Sequence, residues 1–379
     1  MRLESKNIPF IFAFIVLTMP VFFLGACSSA DVVDEFVPQM GGGEFVPTTE
    51  LIQNNPSLIF PPLPDDTMAY IHEGAVGGHG LDVRPLYFNW DWERDGEWDG
   101  VIQLESLEEE LLVALENISV YGHNFVMKVF VNYETVPFLV RGEEEFKESF
   151  MFSIASGYEA MIPFVIDFNS PQEDATYQLT VAIFGDPERH MIEGDAHWNF
   201  EYSNEFGAIV ERHLTFGSGG DVALGDANTE PIASRENQGF VAININTDLN
   251  VDDFYATGHA YPPVRTLQVH AGEEIKFAWF VNTVIVTTFE EGVLTADNYV
   301  VVGLLDWEQI PLNGKPYLFV DATDDEFERR VDFGHLTITA PDEVGLYDFV
   351  AFLAPNPTQL CEFLFPLETS IRITIEVVE

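Results

Sequence analysis

The chain has 379 residues, of which 63 are Asp or Glu and 16 are Lys or Arg, for a formal charge of -47 at pH 7. A surface this anionic repels nucleic-acid phosphates, which excludes DNA and RNA as partners. Yet 47% of the residues are hydrophobic and 33 are Phe, which is too apolar for an acidic disordered chain and enough for sizeable cores.

The first residues carry Arg2 and Lys6, followed by an apolar stretch from Ile8 to Leu24 that Pro9 and Pro20 interrupt. A basic start, an apolar core and small residues at its end make a secretory signal. That end reads Leu24-Gly25-Ala26-Cys27-Ser28-Ser29 and resembles the lipobox of bacterial lipoproteins at every position. The resemblance implies cleavage before Cys27, lipid on its thiol, and a protein held to a bacterial membrane outside the cytoplasm. The rival readings are a plain signal peptide or a spanning anchor, and the stretch is near the lower limit of ~20 residues for the latter. Loss of residues 1–26 removes Arg2, Lys6 and Glu4, a net charge of +1, and moves the formal charge from -47 to -48. Cys361 then has no intramolecular partner, which excludes a disulfide framework. It reads as a small hydrophobe.

Residues 27–65 read as a lipidated flexible tether, rich in Pro, Gly, Asp and Thr. Within it Glu-Phe-Val-Pro occurs twice, at 35–38 and 44–47, as a spacer or a recognition motif. A second soft segment at 217–238 is the expected linker. It separates a first β-sandwich at 66–216 from a second at 239–379.

The stretch from Tyr87 to Gly100 places Trp90, Trp92 and Trp98 beside Asp91, Asp95 and Asp99. The rings suit a platform for sugar faces, with acids bonding hydroxyls. The spacing Asp91-x-Glu93-x-Asp95-Gly96 is similar to an EF-hand calcium loop, but its twelfth position is Ile102 rather than Glu. The bland alternative packs Trp90 and Trp92 into the first core and leaves the acids in water.

Ser106 with Glu109 has the form of a helical capping box, with Leu107, Leu111, Ala114 and Leu115 on one helix face. The run Leu111–Leu115 before Asn117 equally suits a strand, which the surrounding pattern favours. Alternation of period two marks half-buried antiparallel strands further on. Phe125, Met127, Val129 and Val131 alternate around Lys128; Ile275, Phe277, Trp279 and Val281 around Lys276. In the last strand Ile371, Ile373, Ile375 and Val377 are expected inside, with Arg372, Thr374 and Glu376 facing water. The pairs His72/His79 and His190/His197 lack a visible third metal ligand. The acidic groups Asn246-Asp248-Asn250-Asp252 and Asp321-Asp324-Asp325-Glu326 read as solvated loops or cation sites.

Two places nearly 170 residues apart are alike. Pro171-Gln172-Glu173-Asp174-Ala175-Thr176-Tyr177 leads into Leu179, Val181 and Ile183, and Pro341-Asp342-Glu343-Val344-Gly345-Leu346-Tyr347 leads into Phe349 and Ala351. Both resemble the approach to strand F of immunoglobulin-like domains, where a Tyr hydroxyl bonds back to the corner backbone. The resemblance implies two immunoglobulin-like antiparallel sandwiches in tandem, with Tyr177 and Tyr347 in that corner role. The Cys that antibody domains carry two residues later is replaced by Leu179 and Phe349.

No nucleophile elbow, zinc-protease helix, phosphate loop or dinucleotide fingerprint is present. The expectation is a non-enzymatic, lipid-anchored surface protein for adhesion, assembly or accessory recognition, without a resident cofactor unless the acidic loops take calcium. The alternative is a carbohydrate-binding lipoprotein using Trp90, Trp92 and Trp98. An enzyme with an unrecognised site is a third reading.

Overall fold

The computed structural model describes residues 58–63, 79–85, 101–117, 122–190, 207–222, 233–236, 242–246, 266–286, 293–295, 298–321, 330–355 and 368–379, a few single positions within these ranges excepted. The described residues contain strands and no helix. In chain order the first ten are β1 (His79–Pro85), β2 (Val101–Leu104), β3 (Leu111–Asn117), β4 (His123–Val131), β5 (Glu134–Thr135), β6 (Phe138–Val140), β7 (Phe150–Ile154), β8 (Tyr158–Ile166), β9 (Thr176–Gly185) and β10 (Gly207–Phe216). Then come β11 (Ala233–Glu236), β12 (Ala242–Asn246), β13 (Thr266–His270), β14 (Glu274–Asn282), β15 (Val284–Val286), β16 (Val293–Thr295) and β17 (Asn298–Leu305). The last are β18 (Glu308–Ile310), β19 (Leu318–Asp321), β20 (Arg330–Thr339), β21 (Gly345–Pro355), β22 (Glu368–Thr369) and β23 (Ile373–Val378).

The ambiguous segment near Ser106 is a turn followed by strand β3. Glu109 Oε1 accepts the amides of Glu105 and Ser106, and Ser106 Oγ accepts that of Glu108. The capping-box residues therefore do bond locally, but they close a turn that delivers Leu111, Val113 and Leu115 to the core.

Sheet one runs β1-β3-β8-β6 and faces sheet two, which runs β2-β10-β9-β4-β5 with β7 also on β4. Between them lie Leu111, Val113 and Leu115 from one side and Phe125, Met127, Leu179, Val181 and Ile183 from the other, all buried. Sheet three runs β11-β20-β14-β12 and faces sheet four, which runs β13-β23-β21-β17-β18 with β19 on β17 and β22 on β21. Their core holds Phe277, Trp279, Leu336, Phe349, Ile373 and Ile375. A small hairpin, β15-β16, stands apart.

The two sandwiches repeat one strand order. The series β2-β10-β9-β4-β5 corresponds to β13-β23-β21-β17-β18, and β1-β3-β8 to β12-β14-β20. In both, the first strand of the larger sheet pairs in parallel with the last strand of that half, β2 with β10 and β13 with β23. The segments entering each half also match. Ile59 and Pro62 bridge Met161 and Tyr158 on β8, as β11 pairs with β20. Residues 58–63, the end of the expected tether, are thus laid along sheet one, with Leu58 and Leu63 buried. Residues 233–236, within the expected linker, are β11.

The larger sheets are covered on both faces. Val126, Phe130, Tyr133, Ala182 and Phe184 of sheet two pack against Val300, Val302, Leu304, Tyr317, Val350, Phe352 and Ala354 of sheet four. The four sheets therefore form consecutive layers, with an apolar seam between the two sandwiches. The alternation read for the last strand holds, but its outer face does not meet water throughout. Arg372 is 2% exposed and Thr374 is fully buried, because the seam lies over them.

Candidate functional site

The seam is closed by two hairpin turns that reach across it in opposite directions. Asn132 and Tyr133 join β4 to β5 with φ of 50° and 65°, and Asp306 and Trp307 join β17 to β18 with φ of 51° and 68°. Two consecutive left-handed residues are the two-residue hairpin geometry that matches strand twist. Such a conformation is costly for Tyr and Trp, so packing must hold it. Tyr133 is fully buried and meets Tyr317 edge to face at 5.8 Å. Its carbonyl accepts a 2.7 Å bond from Gln309 Nε2, and Gln309 Oε1 accepts from the Thr135 amide and hydroxyl. In the other direction Trp307 lies 5.1 Å from Phe184, and its indole N–H donates to the Pro187 carbonyl at 3.1 Å.

Polar groups collect where each turn meets the last strand of its own half. In the second half the Arg372 guanidinium lies 4.7 Å from the centroid of Trp307. It donates to the carbonyls of Gly185 (2.6 Å) and Asp186 (2.9 Å) in the first half. Its Nη1 is 3.8 Å from Asp348 Oδ2. Asp348 is buried; its Oδ1 accepts the Thr374 hydroxyl at 2.7 Å and lies 3.3 Å from His190 Nδ1, which comes from the first half. Asp186 in turn meets His123 Nδ1 at 3.0 Å. The Asp306 carboxyl is raised above the ordinary range, first by burial and then by Asp348 and Glu308, with His190 opposing.

The corresponding place in the first half holds Glu211. Its carboxylate accepts Gln178 Nε2 at 2.8 Å and Thr180 Oγ1 at 3.2 Å. Burial pushes its pKa up to about 7 against these hydrogen bonds and the neighbouring Arg212. Arg212 is turned to the opposite face, where its Nε donates to the Val83 carbonyl. Lys128 is buried on the seam face of β4, and desolvation lowers its pKa while Glu148 and Glu308 oppose that shift.

Among the described residues these groups make hydrogen bonds and ion pairs, and none is set out as an activated nucleophile. An activated hydroxyl would give its proton to an imidazole oriented by a carboxylate. Here the Thr374 hydroxyl and the His190 ring both address the same carboxylate. Among the described residues no group of three or more His, Cys, Asp or Glu is placed to hold a metal ion.

Tyr177 and Tyr347 both close their corners. The Tyr177 hydroxyl accepts the Gln172 amide at 2.7 Å, and the Tyr347 hydroxyl donates to the Glu343 carbonyl at 3.0 Å. Where antibody domains place a disulfide sulfur, Phe349 stacks on Phe277 at 5.1 Å with planes 4° apart, and Leu179 is buried in the first core. Cys27, Trp90, Trp92, Trp98, Asp91, Asp95 and Asp99 lie outside the described residues, as do His72, His197, Asp248, Asn250, Asp252, Asp324, Asp325 and Glu326. Asp321 is exposed at the end of β19.

The fold and site define an all-β protein of stacked sandwiches. No protein-family model matches the chain, and no curated protein matches it in sequence. Among solved structures it is similar to the red sea bream transglutaminase, at 9% identity over 82% of this chain and 33% of that one, with a TM-score of 0.20. It is also similar to the C-terminal domain of the Streptococcus pyogenes antigen I/II-family protein AspA, at 8% identity over 79% of this chain and 99% of that one, TM-score 0.22. A third similarity is to the E. coli chaperone DraB, at 10% identity over 79% and 97%, TM-score 0.22. The chain spans about a third of the transglutaminase. The architecture is defined by the sheets and cores themselves.

Proposed function

We propose that the chain is a lipid-tethered surface protein of two immunoglobulin-like domains in tandem, working by recognition in adhesion, assembly or an accessory role. The seam is the observation that carries this reading. Two sandwiches of one strand order, joined across an apolar layer by reciprocal hairpin turns, make a stiff scaffold rather than two independently moving units. Binding residues on such scaffolds sit on the loops that the sheets hold in place. The lipobox at Leu24–Cys27 supplies the address, and the formal charge near -48 keeps an anionic bilayer surface at a distance.

A second reading, sugar binding, is favoured by three Trp within nine residues in the connection from β1 to β2. Purified residues 28–379 separate the two. Retention of one cell-surface protein, competed by free chain and indifferent to Trp98→Ala, supports protein recognition. Glycan-array binding lost on Trp98→Ala supports the second reading, and turnover of a chromogenic ester or glycoside would overturn both.

A further inference from the structure

The outer faces of the two smaller sheets differ. On sheet one, Leu112 of β3 lies between Arg84 of β1 and Pro163 of β8, and Arg141 closes that row by donating its amide to the Pro163 carbonyl. The next row sets Ala114 beside Met161, with Ile59 of the incoming segment opposite Met161. Leu139 and Val165 pair on the other side of the Leu112 row. Leu112 and Ala114 are 5% and 7% exposed, yet neither belongs to any of the three apolar cores. On sheet three the outer face sets Lys276 opposite Thr337, Glu274 opposite Thr339 and Ala278 opposite His335, and the Lys276 side chain is 75% exposed. Alternation with a polar outer face suits water, while an outer face as apolar as that of sheet one suits cover.

The chain enters the first half at this same face. Leu58 points into the first core, and Ile59 opens on the outer side at 55% exposure. The next place along the β8 edge, at Pro163, is already taken by Arg141. The chain before Leu58 therefore leaves the sheet plane beside Pro163 and Leu112, and sheet two fills the inner side. Residues 28–57 carry Phe36, Val37, Phe45 and Val46, several acids and no Lys or Arg. At ~3.3 Å per residue that length is several times the ~15 Å across four strands.

We propose that residues 28–57 fold back over the outer face of sheet one, with the two Glu-Phe-Val-Pro copies laying Phe and Val on Leu112, Met161 and Val165 and setting their acids toward Arg84 and Arg141. This continues a contact already in place, since residues 58–63 are laid along the same sheet. Gly41-Gly42-Gly43 between the copies lets the chain reverse, so both fit on one face. Glu110 accepts from Arg141 Nε at 2.9 Å, which fixes the guanidinium at the border of the apolar rows. Pro61 and Pro62 lack an N–H, so the cover is made by side chains rather than by a strand added to that edge. A docked segment holds the two sandwiches close to the start of the chain, and a released one lets them reach further. The docking does not require lipid on Cys27.

The test is cleavage of purified residues 28–379 by a Glu-specific endoprotease, with the cuts after Glu35 and Glu44 followed by mass spectrometry. Each rate is divided by that of the free peptide 28–57 of the same sequence, which removes any effect of the substitutions on the protease itself. Wild-type cuts are expected to be about 10-fold slower than in the peptide, the factor for a docked state favoured ten to one. Phe36→Ser/Phe45→Ser leaves the sandwiches untouched and is expected to restore the peptide rate. Leu112→Lys gives β3 the residue type that β14 carries on its outer face and is expected to do the same. Its denaturation midpoint shows whether it is folded, and the Phe pair decides alone if it is not. Wild-type cleavage at the peptide rate would overturn the docking, as would protection that survives the Phe pair or a folded Leu112→Lys. Protection that grows with protein concentration would put the segment on a second copy and overturn it as well. This chain lacks Cys27, so the result stands apart from that of lipid labelling.

Discussion

Phe130 of the first sandwich and Phe352 of the second meet edge to face across the seam, with ring centroids 5.3 Å apart. Both rings are fully buried on sheet faces that single-sandwich proteins leave to solvent. Truncating Phe352 to Ala leaves a cavity on both sides and is expected to cost about 3–5 kcal/mol. Chemical denaturation should show the loss and split one transition into two as the halves uncouple. Val344→Ala, at an exposed position, should stay within about 0.5 kcal/mol.

Trp307 carries the opposite crossing. Trp307→Ala removes the contact with Phe184, the bond to the Pro187 carbonyl and the ring under Arg372. A loss of about 2–4 kcal/mol is expected from truncating a large ring at such a site. Trp307→Phe keeps a ring and loses the N–H, so it should fall between wild type and Ala. Equal stability of all three would show that the hairpin does not clamp the seam.

The period-two strands were readable because each sheet has one face on its own core. Phe277, Phe349 and Ile375 follow that rule. The other face was misread at Arg372 and Thr374, since a polar residue opposite an apolar one looks the same whether water or a second sandwich covers it. Lys128 is the same case: a charge inside an apolar strand signals a second face, not what lies over it. The duplication was visible only at the Tyr177 and Tyr347 corners, where turn chemistry restricts the residues. Elsewhere many apolar residues fill equivalent core positions, as Val113 and Phe277 do, so the repeat fades from the sequence while the strand order persists. The seam acids could not be found in advance among 63 carboxylates.

Gly334 lies opposite Trp279 on the paired strand. A Cβ there would come within 2.3 Å of the indole. Gly334→Val is therefore expected to destabilise by about 1–3 kcal/mol or more through overpacking. Trp279→Leu in the same chain should recover part of that loss by opening space. Thermal melts of the two single variants and the double one give the coupling, and strict additivity would contradict it.

The two corner tyrosines should cost alike when only the hydroxyl is removed. Tyr177→Phe and Tyr347→Phe each lose one bond to backbone, worth about 0.5–1.5 kcal/mol. Tyr177→Phe also leaves the Gln172 amide without its acceptor, so it should be the larger loss of the two. Denaturation curves at one pH suffice to rank them.

We propose that Cys27 holds this scaffold at a membrane. Metabolic labelling with a radioactive fatty acid in a bacterial host tests this most directly. The wild-type chain is expected to take up label and sediment with the membrane fraction, while Cys27→Ser takes up none and appears in the soluble or secreted fraction. An unlabelled wild type, or a Cys27→Ser chain that stays labelled and membrane-bound, would contradict it.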